Sequence, residues 1–227
     1  MDNNYAATEK YWNGVFKNKA EFHPRGKLSP PELEQALQWL CRDASTVLDF
    51  GCGHGHALAR CFDYGVEHIT GLDVSQEAIE LARRVLKKHG YQSRSTLICG
   101  GLDALKAIKE TPVDAVILFN VLDNLLPRDA EEVLAVTGKM VSSGGKMLIK
   151  LNPYFEPGVL ASEEGFTRVN CESGAELYRE DSGLYLWNMS DAEVKKLVNP
   201  HWVTVNCLEI ELKGGLTNRI YFLEKTS

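Results

Sequence analysis

The run Val47-Leu48-Asp49-Phe50-Gly51-Cys52-Gly53-His54-Gly55 constrains this chain more than any other segment. A short apolar strand delivers an acid, and three alternating glycines then let the backbone turn sharply before a helix begins. Such a junction belongs in a sheet of parallel strands joined by helical crossovers, with its ligand at the carboxyl ends of the strands. A dinucleotide fingerprint fits it poorly. That motif places its third glycine three positions after the second, where His56 stands, and Asp49 would repel a pyrophosphate. For a cation or an amine the same acid is an asset.

The rhythm continues to Leu151. Thr46–Phe50, His68–Asp73, Ser95–Cys99, Val113–Phe119 and Lys146–Leu151 read as strands. They alternate with helical periods over Gly55–Tyr64, after Ser75 as N-cap, around Ala104–Lys109, and after Pro127. Val113–Phe119 is nearly all apolar, as a strand covered on both faces should be. Ser143-Gly144-Gly145 reads as the turn into strand five. Residues 152–189 break the pattern with Pro153, Pro157, Gly158, Gly165, Gly174 and Gly183, and read as an inserted lid with room for a small hairpin. Ser190 caps a helix running through Val198, and Trp202–Leu212 and Leu216–Glu224 flank Lys213-Gly214-Gly215 as an antiparallel hairpin. Ahead of the sheet, Ala6–Phe16 and Pro31–Leu40 are helical, with Pro24, Pro30 and Pro31 between them. One structural domain results: a cap over 1–44, a core over 45–151, a lid and substrate region over 152–189, and a closing helix and strand pair over 190–227.

Asp73 ends the second strand, where a carboxylate accepts hydrogen bonds from both hydroxyls of a ribose and rejects a 2′-phosphate. The implied ligand has a ribose at one end and a positive, phosphate-free group at the glycine loop. S-adenosylmethionine has that composition. The net charge of -6 argues against a surface built to follow phosphate backbones. No basic leader or apolar run of about 20 residues is visible, so a cytoplasmic chain without a membrane partner is expected. The six cysteines (41, 52, 61, 99, 171 and 207) form no CxxC pair and read as reduced thiols. Cys52-x-His54-x-His56 would spread its side chains around a tight turn, so no metal is expected.

With these residues in place, the chain resembles the class I S-adenosylmethionine-dependent methyltransferases over residues 45–151 and in the topology of its terminal hairpin. Gly71-Leu72-Asp73-Val74-Ser75 resembles the ribose motif of that family. Gly101-Leu102-Asp103 falls at its adenine side, and Phe119-Asn120-Val121-Leu122-Asp123-Asn124-Leu125 at the segment lining the donor. The resemblance implies an α/β, Rossmann-like fold: a seven-stranded, mostly parallel sheet with a C-terminal antiparallel strand pair and helices on both faces. An N-terminal helical cap and an insertion after strand five complete it. It implies S-adenosylmethionine as cofactor, S-adenosylhomocysteine as product, and contacts from Asp49, Gly51, Cys52, Gly53, Gly55, Asp73, Val74, Gly101, Leu102, Asp103, Asn120 and Val121. Many relatives carry Gly-Asp-Ala after strand three, so Asp103 has two readings here, an acceptor for the adenine amine or a helix cap.

The activity expected is methyl transfer to a small-molecule acceptor by in-line displacement. Two alternatives stand beside it: a methyltransferase for a macromolecule, and a catalytically silent binder of the same nucleosides. A general base is needed only where the acceptor must lose a proton. Tyr11, by resemblance, and Asp123 are the candidates, although an acid at the position of Asp123 is more often a helix cap or solvated. His54 and His56 suit backbone contacts, while His23 and His201 lie in segments able to approach the pocket. Tyr5, Tyr11, Trp12, Phe16, Tyr154, Phe155, Tyr178, Tyr185 and Trp187 form an aromatic set outside the sheet, either a lid over the site or packing between cap and sheet. Asn152-Pro153-Tyr154 follows strand five rather than strand four. It is therefore not the element of amino-methyltransferases acting on nucleic-acid bases, and no nucleic-acid partner is expected.

Overall fold

The computed structural model describes residues 5–17, 19, 26–108 and 112–226; His23 and Pro24 lie outside them. Strands β1 (Thr46–Phe50), β2 (His68–Asp73), β3 (Ser95–Cys99), β4 (Val113–Phe119) and β5 (Val141–Leu151) run parallel. The small strands β6 (Phe166–Val169), β7 (Leu177–Glu180) and β8 (Tyr185–Trp187) follow, and then β9 (Trp202–Glu211) and β10 (Thr217–Lys225). The main sheet has seven strands in the order β3-β2-β1-β4-β5-β10-β9, with β10 antiparallel to both of its neighbours. This is the expected class of fold. Progression runs outward from β1 to β3 and then resumes on the other side of β1 at β4. That reversal opens a crevice at the carboxyl ends of β1 and β4.

Period-two alternation sends successive strand residues to opposite faces. Val47, Ala115, Ile117 and Leu148 face one helical layer, formed by α2 (Pro31–Cys41), α3 (His56–Asp63) and α4 (Gln76–Lys88). Leu48, Val116, Leu118, Met147 and Ile149 face the other, which includes residues of α5 (Leu102–Ala107), α6 (Pro127–Met140) and α7 (Asp191–Val198). Helices cover both faces, which is why β4 from Ala115 to Phe119 reads as an apolar run. Ser190 caps α7 in a capping box with Glu193.

The structure departs from the sequence reading at β5 and in the insertion. β5 begins at Val141, because the chain leaves α6 already extended and Val141 pairs with Val113. The glycines at 144 and 145 make an irregularity within the pairing rather than a turn before it. The insertion forms a three-stranded antiparallel sheet, β6-β7-β8, where a hairpin was expected. Leu177, Tyr185 and Trp187 join the main core, while Leu160, Tyr178 and Leu186 build a small core of their own with Phe155 and Phe166. A residue pattern can show two paired strands, but the third is added by burial on both faces.

The first helix, α1 (Ala6–Lys17), lies outside both layers and docks against α4. Asn13 Oδ1 accepts from Ser75 Oγ at 2.8 Å, and Ser75 Oγ accepts from Ala78 N at 3.1 Å as the cap of α4. Tyr185 of the insertion packs edge-on against Tyr5 with ring centroids 6.1 Å apart. In the β7–β8 turn, Gly183 has φ 88°, and a Cβ built there would sit 2.7 Å from Ala7 Cβ. Ser75 therefore serves two helices, and Ser75→Ala should destabilise the chain by about 1–2 kcal/mol in urea unfolding. An unchanged midpoint would show that neither bond contributes.

Candidate active site

A cavity of about 460 Å³ occupies the crevice, with α1 along one side. The glycine loop forms its floor. Gly51 N and Cys52 N both donate to Leu72 O at 2.8 Å, which ties the loop to the end of β2. Gly51 has φ 88°, and a Cβ there would come within 2.5 Å of Val121 Cγ2; at Gly55, φ 77°, it would strike Ala82 at 2.9 Å. Those two positions need glycine for close approach as well as for backbone conformation.

Asp73 Oδ2 accepts from Gly53 N at 2.8 Å, and Oδ1 accepts from Ser75 N at 2.9 Å. Burial pushes its pKa up, and the two amides oppose that shift. Each oxygen keeps a further lone pair beside the cavity. Asp49 is 2% exposed and has no hydrogen-bond partner among the described residues. Burial, followed by the neighbouring Asp73 charge, pushes it up to about 8. A carboxyl so placed is stabilised as an anion only when a cation or donor joins it.

Gly101 and Leu102 line the far wall with Val74. Asp103 is exposed in the first turn of α5; it neither lines the cavity nor caps the helix, whose N-cap is Gly101. Asn120 and Val121 border the cavity, as does Cys52. Asp123 does not, and it is neither a cap nor solvated: it is 1% exposed behind the wall, accepting from Asn152 N at 2.6 Å. Burial raises it to about 6. His54 lines the cavity, and desolvation lowers it to about 4, so it is neutral near pH 7.

Along α1 the lining residues are Tyr5, Thr8, Trp12 and Phe16, one helical stripe. Tyr11 falls off that stripe: it is 37% exposed and rests edge-on against Trp12 at 5.2 Å. None of the insertion's residues borders the cavity; its sheet buttresses α1 through Tyr185. Thr8 and Asp129 are among the lining residues that escaped the sequence reading. Thr8 Oγ1 is buried and has no hydrogen-bond partner among the described residues. Asp129, in the first turn of α6, accepts from Tyr5 Oη at 2.5 Å, and Tyr5 Oη accepts from Leu126 N at 3.1 Å. The i, i+3, i+4 spacing carried the signal for Thr8; Asp129 gave none, since an acid there is an ordinary first-turn residue.

The family model for a methyltransferase domain matches residues 47–145, the segment that carries the glycine loop, Asp73 and the β4 exit. That segment is similar to the methyltransferase-domain family, and it lies on a Rossmann-like fold of the class I type. Similar proteins include a ribosomal protein L11 methyltransferase of Dechloromonas aromatica, 32% identical over 55% of this chain and 39% of its own length. A tRNA N(3)-methylcytidine methyltransferase of Schizosaccharomyces pombe is 25% identical over 63% of this chain and 48% of its own length. The chain thus spans half or less of these curated relatives. Among solved structures, the N-methyltransferase NodS of Bradyrhizobium japonicum, in complex with S-adenosylhomocysteine, has a TM-score of 0.69 at 14% identity, with 100% of each chain covered.

The residues around the cavity fit S-adenosylmethionine, the cofactor of the family that residues 47–145 resemble. Gly51 and Gly53 leave backbone exposed to a ligand, Asp73 offers open lone pairs at the end of β2, and Asp49 lies buried near the end of the adjacent strand β1. Asp49 also sets a pH dependence. Its folded pKa, about 8, stands above the ordinary 3.8, so the unfolded chain gives up this proton first and the contribution to stability falls as pH rises from about 4 to 8. Asp49→Asn should therefore gain on the wild type by more than about 1 kcal/mol between pH 5 and pH 8.5 in urea unfolding. Parallel curves for the two proteins would contradict this.

Proposed function

We propose that this methyltransferase moves the methyl group of S-adenosylmethionine to a small-molecule acceptor by in-line displacement. The observation that carries this reading is the cover of α1 over the cavity, which leaves room for a modest organic acceptor rather than a broad groove. The net charge of -6 supports it against a polyanionic substrate.

When bound, the donor supplies a methyl group already activated by its sulfonium. Asp49 would match the positive end of the donor, Asp73 would accept from the ribose hydroxyls, and Val74, Gly101 and Leu102 would border the adenine. Trp12, Phe16 and Tyr5 keep water out from above. What these residues contribute is alignment, which can lower a barrier by roughly 7–11 kcal/mol. Neither Tyr11 nor Asp123 borders the cavity, and no residue is assigned here as a general base. Among the described residues no helix is long and apolar enough to cross a membrane, and we place the reaction in the cytoplasm. A macromolecular acceptor is the second reading, favoured by relatives named for a ribosomal protein and for tRNA.

Calorimetric titration with S-adenosylmethionine at pH 7, in two buffers of different ionisation enthalpy, tests the donor site. Binding should release close to one proton from Asp49, since a cation arriving beside it favours the carboxylate; Asp49→Asn should abolish the release. Asp73→Ala should weaken binding about ten-fold or more. No binding by the wild type would end the reading. Labelled methyl recovered in small molecules rather than in protein or tRNA would decide between the two acceptor classes.

A further inference from the structure

Asn120 leaves β4 with φ 55°, a left-handed backbone that residues bearing side chains adopt at a cost. Four residues at the ends of β4 and β5 hold it there. Asn120 N donates to Lys150 O at 2.8 Å, and the Lys150 ammonium donates back to Asn120 Oδ1. Asn120 Nδ2 donates to Asn152 Oδ1 at 2.8 Å, and Asn152 N donates to Asp123 Oδ2 at 2.6 Å. Asn124 Nδ2 then bridges Asp123 Oδ1, at 3.3 Å, and the Asn120 carbonyl, at 3.0 Å. The bonds close on themselves, so every polar atom of the Asn120 side chain is committed inside the ring.

Lys150 is 9% exposed, and its ammonium faces Asp123 as the one charged group acting on it across the ring. Burying an ammonium there opposes folding, and the Asp123 charge repays only part of that cost. A charge kept at such a place needs a reason other than stability. The cavity supplies one. Just past Asn120, Val121 presses so closely on Gly51 that no Cβ fits between them. The turn at Asn120 therefore sets the distance between the β4 exit and the glycine loop, the two walls between which the donor would lie.

We propose that Lys150 is a positioning residue for the donor: acting through Asn120, it locks the left-handed turn that holds Val121 against the glycine loop. This rests on the reading of the cavity as a donor site. Lys150 itself does not line the cavity, so its effect on a ligand must pass through Asn120.

The test is calorimetric titration of S-adenosylhomocysteine into the wild type, Lys150→Met, Lys150→Gln, Asn120→Gly and the Asn120→Gly/Lys150→Met double variant, with thermal midpoints alongside. Lys150→Met should bind about ten-fold more weakly while it remains folded, with its thermal midpoint above the titration temperature. Lys150→Gln keeps an N–H donor and should come back to within about three-fold of the wild type. In the Asn120→Gly background glycine takes the turn without a lock, so Lys150→Met should there cost no further affinity. Wild-type affinity in Lys150→Met, or equal losses in both backgrounds, overturns the proposal. Should Lys150→Met fail to fold, a folded Lys150→Gln that has lost ten-fold overturns it equally. A wild type that does not bind at all removes the donor reading as well, whereas a failure confined to the variants leaves that reading standing.

Discussion

The carboxylate of Asp73 is the hinge of the whole arrangement. By accepting from Gly53 N and Ser75 N it joins the loop after β1 to the turn after β2. The glycine loop has three residues with positive φ, and of its side chains Cys52 packs into the core while His54 rests against Phe16. Its shape is held by amides donated to one carboxylate and one carbonyl, that of Leu72. The cost of burying an acid is offset by those bonds. An acid that reads in sequence as a ligand for ribose is therefore first a structural member, and its remaining lone pairs serve the cavity only because the loop it holds is already in place.

The sheet order places this junction. Because β4 returns beside β1 rather than beyond β3, the loops after β1, β2, β3 and β4 converge on one crevice, and neither helical layer covers it. α1 fills that gap from outside both layers. It is fastened near one end by Tyr5 on Asp129 and Leu126, and further along by Asn13 on Ser75. Those partners belong to α6 and to the cap of α4, on opposite sides of the sheet, so the helix spans the crevice as a strut.

The sheet was legible because each of its strands carries its own signal: an apolar run, a glycine or proline stop, and a capping serine such as Ser75 or Ser190. Asp49, the glycines and Asp73 were legible for the same reason, since the chemistry follows from residues adjacent in sequence. What escaped depends on phase and on distant partners. Tyr11 and Trp12 differ by one position and 100° of helix, and only docking on α4 decides which of them meets the cavity. Asp123 reads as an ordinary loop acid until Asn152, a strand away, claims it. Asp129 acquires its place from Tyr5, at the other end of the chain.

Gly183 carries a consequence of another kind. It lies in a surface turn of the insertion, a type of segment that usually tolerates substitution and changes of length. Here the turn abuts α1 so tightly that any Cβ would push on Ala7. The helix cannot yield there without shifting the stripe of Tyr5 and Thr8 that roofs the cavity one turn away. Sequence drift in a turn that borders no ligand is thus coupled, by steric contact alone, to the shape of the site, and the insertion's freedom to vary ends where it meets the first helix.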